Sequence, residues 1–114
     1  MWYDQLIIEV LEFVNDKDES PFANWFNALN AQAAAKVSTA LIRMEHENLS
    51  NTKSVHGGVF EYRIDFGPGY PVYFGKDGEN LIILLGGGTK NRQDNDIKKA
   101  KALWQLYKKL KKGK

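Results

Sequence analysis

Glu61 and Arg63 lie two residues apart in Val59-Phe60-Glu61-Tyr62-Arg63-Ile64-Asp65-Phe66, where Val59, Glu61, Arg63 and Asp65 alternate with apolar or aromatic neighbours. That period-2 pattern is a half-buried strand, and it puts Glu61 and Arg63 on one face. Lys90 and Arg92 follow the run Gly86-Gly87-Gly88, at the junction between an apolar segment and a lysine-rich one. Glycines allow a ligand to approach the backbone closely. Tyr70 and Tyr73, on the intervening segment, are expected to flank the same surface. Cations beside a glycine-rich backbone, with aromatic rings next to them, suit phosphodiester and base contacts. The plain alternative is a sheet surface whose charges only pair with one another.

Other apparent motifs carry no chemistry. Asp65-Phe66-Gly67 matches the metal-binding triplet of kinases, but 114 residues are too few for a kinase and its other elements are missing. Gly86-Gly87-Gly88-Thr89-Lys90 has the composition of a phosphate loop without its order. His46 and His56 have no partner at a metal-ligand spacing and read as surface or loop residues. The chain has no cysteine, which removes thiolate nucleophiles, disulfides and Cys-type zinc sites. No basic leader precedes a long apolar run, and no apolar run approaches the ~18 residues that span a bilayer. The expectation is a soluble cytoplasmic protein with no metal or cofactor and no membrane partner.

The elements that must position these residues are legible in outline. Leu6 to Val10 is the first strand candidate. Ser20 caps a helix with Pro21 at its first position, and Phe22, Trp25, Phe26 and Leu29 form its apolar stripe. Asn30 caps a second helix, Ala31 to about Asn48, with Ala33, Val37, Ala40, Leu41 and Met44 inward. Leu49 to Gly58 reads as a polar loop. Three antiparallel strands follow, joined by Gly67-Pro68-Gly69 and by a turn at Asp77-Gly78, residues that tolerate positive φ. Leu81 to Leu85 is apolar on both faces and belongs at the sheet's centre. Asn91 is placed to cap the last helix, with Asp94 at its third position; Ile97, Ala100, Trp104 and Tyr107 face the sheet, and Leu103, Leu106 and Leu110 widen the stripe. The chain is therefore expected to be one α+β domain over residues 1–114. Its order is β-α-α-β-β-β-α, an antiparallel meander packed with an N-terminal helix pair and a C-terminal helix.

Charge is unevenly distributed. Residues 90–114 hold ten basic and two acidic groups, a net +8, whereas the preceding 89 hold six basic and twelve acidic, a net −6. Such polarity fits a polyanionic partner, and equally a solvated helix ending in a lysine-rich tail.

Glu61-x-Arg63-Ile64, Phe66-Gly67-Pro68-Gly69-Tyr70-x-Val72-Tyr73-Phe74, Leu84-Leu85-Gly86-Gly87-Gly88-x-Lys90 and Asp96-Ile97-x-x-Ala100 together resemble the RelE/ParE superfamily of toxins, in particular its phage-derived, HigB-like killer proteins of addiction modules. The resemblance implies a RelE-like fold and a type II toxin held inactive by a cognate antitoxin, of helix-turn-helix type. It further implies a ribosome-dependent endoribonuclease that cuts messenger RNA by attack of a ribose 2′-hydroxyl on the adjacent phosphate, and so inhibits translation. Such chemistry needs in-line geometry and positive charge around the phosphate, and no metal. On the matching positions Arg63 and Lys90 are the phosphate-stabilising cations, and Glu61 orients Arg63 or moves a proton. Arg92, Tyr70, Tyr73, Lys98 and Lys101 would contact RNA, the helix lysines by gripping ribosomal RNA in a salt-dependent way.

This chain departs from that pattern at Pro71, where the family commonly has arginine. Proline cannot donate to a strand ladder, so a sheet edge or a later strand start is expected there. The departure keeps open a weakened, antitoxin-binding protein; a ParE-like poison of DNA gyrase is the other alternative.

Overall fold

The computed structural model describes residues 7–113. In order it contains β1 (Glu9–Glu12), α1 (Pro21–Asn27), α2 (Ala31–Glu45), β2 (Thr52–Ser54), β3 (Val59–Ile64), β4 (Tyr70–Lys76), β5 (Leu81–Gly87), a 3-10 turn (Lys90–Arg92) and α3 (Gln93–Lys112). The strands form one sheet in the order β1-β5-β4-β3-β2. The chain is thus α+β, with α1 and α2 on one face of the sheet and α3 on the other.

Local chemistry explains the elements that matter for the site. Ser20 Oγ accepts from the Ala23 amide at 3.0 Å, and Asn30 Oδ1 from the Ala33 amide at 2.9 Å, so both N-terminal helices start where a side chain satisfies an orphan N–H. Phe22, Val37, Ala40 and Met44 pack against Tyr62, Val72, Phe74, Ile82 and Leu84. Ile83 and Leu85 point the other way, into a core with Phe13, Val59, Tyr73, Ala100 and Trp104. β5 lies between β1 and β4 and is buried on both faces, which is why its sequence shows no alternation.

α3 is held at both ends and in the middle. A Cβ on Gly75 would overlap the ring of Trp104, and one on Gly58 would stand 2.6 Å from its Nε1; the indole sits where those side chains are missing. Tyr107 stacks on Trp104 with centroids 5.2 Å apart and donates to Asp77 Oδ2 at 2.6 Å. Lys111 pairs with the same carboxylate at 2.5 Å. Lys111 and then Tyr107 hold the Asp77 carboxyl below its ordinary range, while burial, and after it Asp77, push the Tyr107 phenol up to about 12.

Several expectations are corrected. The first strand is Glu9–Glu12, not Leu6 to Val10, and Leu6 lies outside the described residues. The Ile7 and Ile8 amides bond the Glu45 carbonyl at 3.0 and 3.1 Å, which ties that stretch to the end of α2. β1 pairs parallel to β5, so the sheet is mixed; only β2 to β5 are antiparallel. The expected polar loop contains β2, a short, largely exposed edge strand that buries too little to leave a periodic signal. α2 ends at Glu45, and Glu47 takes a positive φ of 65°. Asn91 lies inside the 3-10 turn, and α3 begins at Gln93 without a side-chain cap. Leu106 and Leu110 are 40% and 51% exposed, outside the stripe that Trp104 anchors.

If the glycine seat holds α3, Gly75→Ala overpacks the indole and costs about 1–3 kcal/mol. Thermal unfolding followed by circular dichroism should show a clearly lower midpoint; a variant as stable as the parent would contradict the seat.

Candidate functional site

β3 carries Glu61 and Arg63 on the face that α3 covers. Glu61 is 1% exposed, and its Oε2 accepts from Gln93 Nε2 at 3.0 Å across the first turn of α3. Arg63 Nη2 lies 3.6 Å from the same oxygen. Lys53, opposite Glu61 in the β2–β3 register, brings its Nζ to 3.8 Å from Oε1. Oε1 has no hydrogen-bond partner. A carboxylate this far from water needs nearby cations. Both cations keep about half or more of their side chains in solvent, 50% for Arg63 and 61% for Lys53, so each can also face a ligand.

That outward side is a cleft. Arg63 and Lys90 line it together with Asn51, Thr52, Lys53 and Asp65, around a volume of about 440 Å³. Lys90 arrives there because β5 ends in glycines and the chain then tightens into the 3-10 turn, where the Arg92 amide bonds the Thr89 carbonyl at 3.1 Å. Three cations therefore meet at one surface, with the Glu61 carboxylate beneath them.

The other expected residues are placed differently. Arg92 is on the adjoining turn and lines a separate shallow hollow with Lys90, Asn91, Gln93, Asp94 and Asn95. Tyr70 turns to the opposite face of the sheet, its ring 6.4 Å from that of Trp25. Tyr73 shares the α3 face as the register partner of Glu61 but is 1% exposed, so its ring is no platform for a base. Its hydroxyl has no hydrogen-bond partner. Burial first, and then the Glu61 charge, push that phenol up to about 12; Gln93, whose amide is committed to Glu61, offsets this only in part. Lys98 is exposed on α3, and the stem of Lys101 runs over the β2–β3 turn, where a Cβ on Gly57 would meet it at 3.5 Å; neither lines the cleft.

Pro71 sits in an interior strand that already starts at Tyr70, which corrects the expectation of an edge or a later strand start. Its carbonyl accepts from the Gly88 amide at 3.1 Å, so its nitrogen also points toward the β5 side, just before the β4–β5 ladder begins at Val72 and Gly87. Pro71 is the register partner of Arg63, so a side chain at this position shares the face of Arg63.

Lys53 and Gln93 carry no signal of their own in the sequence, because each acts through a partner brought to it by the fold. The side of Tyr70 was readable: residues 70 and 73 are an odd number apart on one strand and must point to opposite faces.

The buried carboxylate implies an asymmetry. Glu61→Gln leaves two half-hydrated cations and costs about 1 kcal/mol or less, whereas Lys53→Ala with Arg63→Ala strands a buried charge and costs several kcal/mol. Urea unfolding of the two variants should rank them in that order, and the reverse ranking would contradict the description of this site.

No protein-family model matches the chain. Over 85 residues it is 46% identical to a protein of Haemophilus influenzae named only as uncharacterized, an alignment that covers 74% of this chain and 86% of that protein. The chain belongs to the family of that Haemophilus influenzae protein.

Proposed function

We propose that this protein is the toxin of a type II toxin-antitoxin module, a HigB-like member of the RelE/ParE superfamily that cleaves messenger RNA on the ribosome in the cytoplasm. The observation that carries this reading is the convergence of Arg63, Lys90 and Lys53 on one cleft. A scissile phosphate held there gains charge as the 2′-hydroxyl attacks, and preorganised cations stabilise that charge more than they stabilise the ground state. Arg63 and Lys90 take this role. Glu61, buried and bonded by Gln93, orients Arg63, and its burial suits that role better than exchange of a proton with solvent. The element order, with β2 as an added edge strand, agrees with the layout expected of a RelE-like toxin. The basic outer face of α3, including Lys98 and Lys101, adds contacts to ribosomal RNA, and a helix-turn-helix antitoxin is the inhibitory partner.

Purified protein added to a translating extract should cut the messenger, and Arg63→Ala or Lys90→Ala should each slow cutting by about 100- to 1000-fold. Intact messenger with the native protein, or full activity in both variants, would overturn the reading.

A second reading, a weakened protein retained for antitoxin binding, is favoured by Pro71, which fills the position beside Arg63 with an uncharged ring. Pro71→Arg places a guanidinium on the cleft's face, and expression of this variant should arrest growth more strongly than the parent. Equal or lower toxicity would count against the assignment of that surface.

A further inference from the structure

A second cleft, of about 470 Å³, opens between β5 and α3. Its polar lining is Tyr73, Asp96 and Lys99, and its apolar walls include Pro21, Leu85 and Leu103. The β4–β5 ladder slips at this point: Tyr73 faces Gly86 and Phe74 faces Leu84, which leaves Leu85 as the extra residue of a bulge. Gly86 turns bare backbone to open space, since a Cβ on it would meet nothing within 4 Å. The Tyr73 hydroxyl is buried without a hydrogen-bond partner. Among the described residues, neither Asp96 nor Lys99 forms an ion pair or side-chain hydrogen bond, although both line the same cleft. Asp96, half-buried, and Lys99, exposed, thus bring two uncommitted polar groups to the cleft, with the buried Tyr73 behind them.

We propose that this cleft is a nucleobase pocket that prefers guanine, with Asp96 accepting from the base and Lys99 donating to it. A carboxylate offers only acceptors, on two oxygens. Guanine alone among the RNA bases presents two adjacent donors, N1–H and the N2 amino group, beside an acceptor, O6. Adenine and cytosine each set one donor beside an acceptor, so a carboxylate oxygen would face a lone pair. Uracil has a single donor between two carbonyls. A site that accepts from two adjacent donors favours the one base that presents both. The apolar walls suit the faces of the ring. The inference rests on the nuclease reading: the cation cleft positions the phosphates of a strand, and this pocket reads one of its bases.

Titrating GMP, AMP, CMP and UMP into isotope-labelled protein, followed by NMR, tests the pocket without reference to cleavage. GMP should perturb Tyr73, Gly86 and Asp96 and bind at least about tenfold more tightly than AMP, one good paired contact being of that order. Asp96→Ala should abolish the preference, and Lys99→Ala, at an exposed position, should weaken GMP binding with an unchanged thermal midpoint. A guanine-containing trinucleotide of 2′-O-methylated RNA that also shifts Arg63 and binds more tightly than GMP assigns the pocket to RNA; equal binding would assign it to free nucleotide and overturn its role in the cleavage site. Equal affinities for GMP and AMP, or shifts confined to other surfaces, would overturn the pocket itself. Mapped cuts in the translating extract separate the two ideas. Cutting without any guanine preference sinks the pocket and leaves the nuclease reading, whereas selective GMP binding without cutting does the opposite.

Discussion

Glu61 carries a negative charge to a place with almost no access to water, and much of the site's arrangement follows from how that charge is accommodated. Removing a carboxylate from water costs several kcal/mol unless cations and hydrogen-bond donors replace the solvent. Gln93 supplies a donor from α3, Arg63 a charge from the same strand and Lys53 a charge from the edge strand. One buried group thereby fixes the start of a helix, the orientation of a guanidinium and the position of a three-residue strand. Both cations remain part-solvated, and so their charge stays usable from the cleft side.

The rest of the fold keeps that helix start in register. Trp104 is seated over glycines of β3's approach and of β4, and the pair of Tyr107 and Lys111 on Asp77 ties the far end of α3 to the β4–β5 turn. With its middle and far end held, the helix cannot slide, and Gln93 stays over Glu61. The glycines at the end of β5 serve both flanks of this helix. Gly86 leaves backbone open toward one cleft, and Gly88 accepts the close approach of the Asp96 carboxylate before the chain turns to present Lys90 to the other. Two clefts, one cationic and one mixed, thus adjoin the junction of β5 and α3, an arrangement that would suit the backbone and bases of the proposed RNA strand.

Features set by local chemistry were legible in the sequence. The Ser20 and Asn30 caps, the Asp77-Gly78 turn and the doubly buried β5 all follow from side chains acting within a few residues, or from a run too apolar for any exposed face. Arg63 and Lys90 were legible as cations on adjoining elements, their role at a phosphate came only from the family resemblance, and the fold brings them to one cleft. What the sequence hid depends on partners far along the chain. Gln93 and Glu61 are 32 residues apart, β2 is too short and polar to show a period, and β1 finds its parallel partner only across two helices and three strands. The burial of Glu61 and Tyr73 was likewise hidden, because alternation alone reads their strand face as solvent-facing when a helix in fact covers it.

Two basic surfaces are candidates for the proposed RNA: the Arg63–Lys90 cleft, and the outer end of α3, where Lys108, Lys109 and Lys112 cluster with Leu106. Charge density alone favours the helix, and geometry favours the cleft, where Glu61 holds Arg63 and Lys53 from beneath. The decisive measurement is an NMR titration with a single-stranded RNA whose 2′-hydroxyls are methylated, so that it binds without being cut, reading the side-chain signals of Arg63 and Lys90 against those of Lys108, Lys109 and Lys112. The account predicts that Arg63 and Lys90 respond together, at the lowest RNA concentrations and with a steep dependence on salt. Responses confined to the lysines at the end of α3, with Arg63 and Lys90 unmoved, would contradict it.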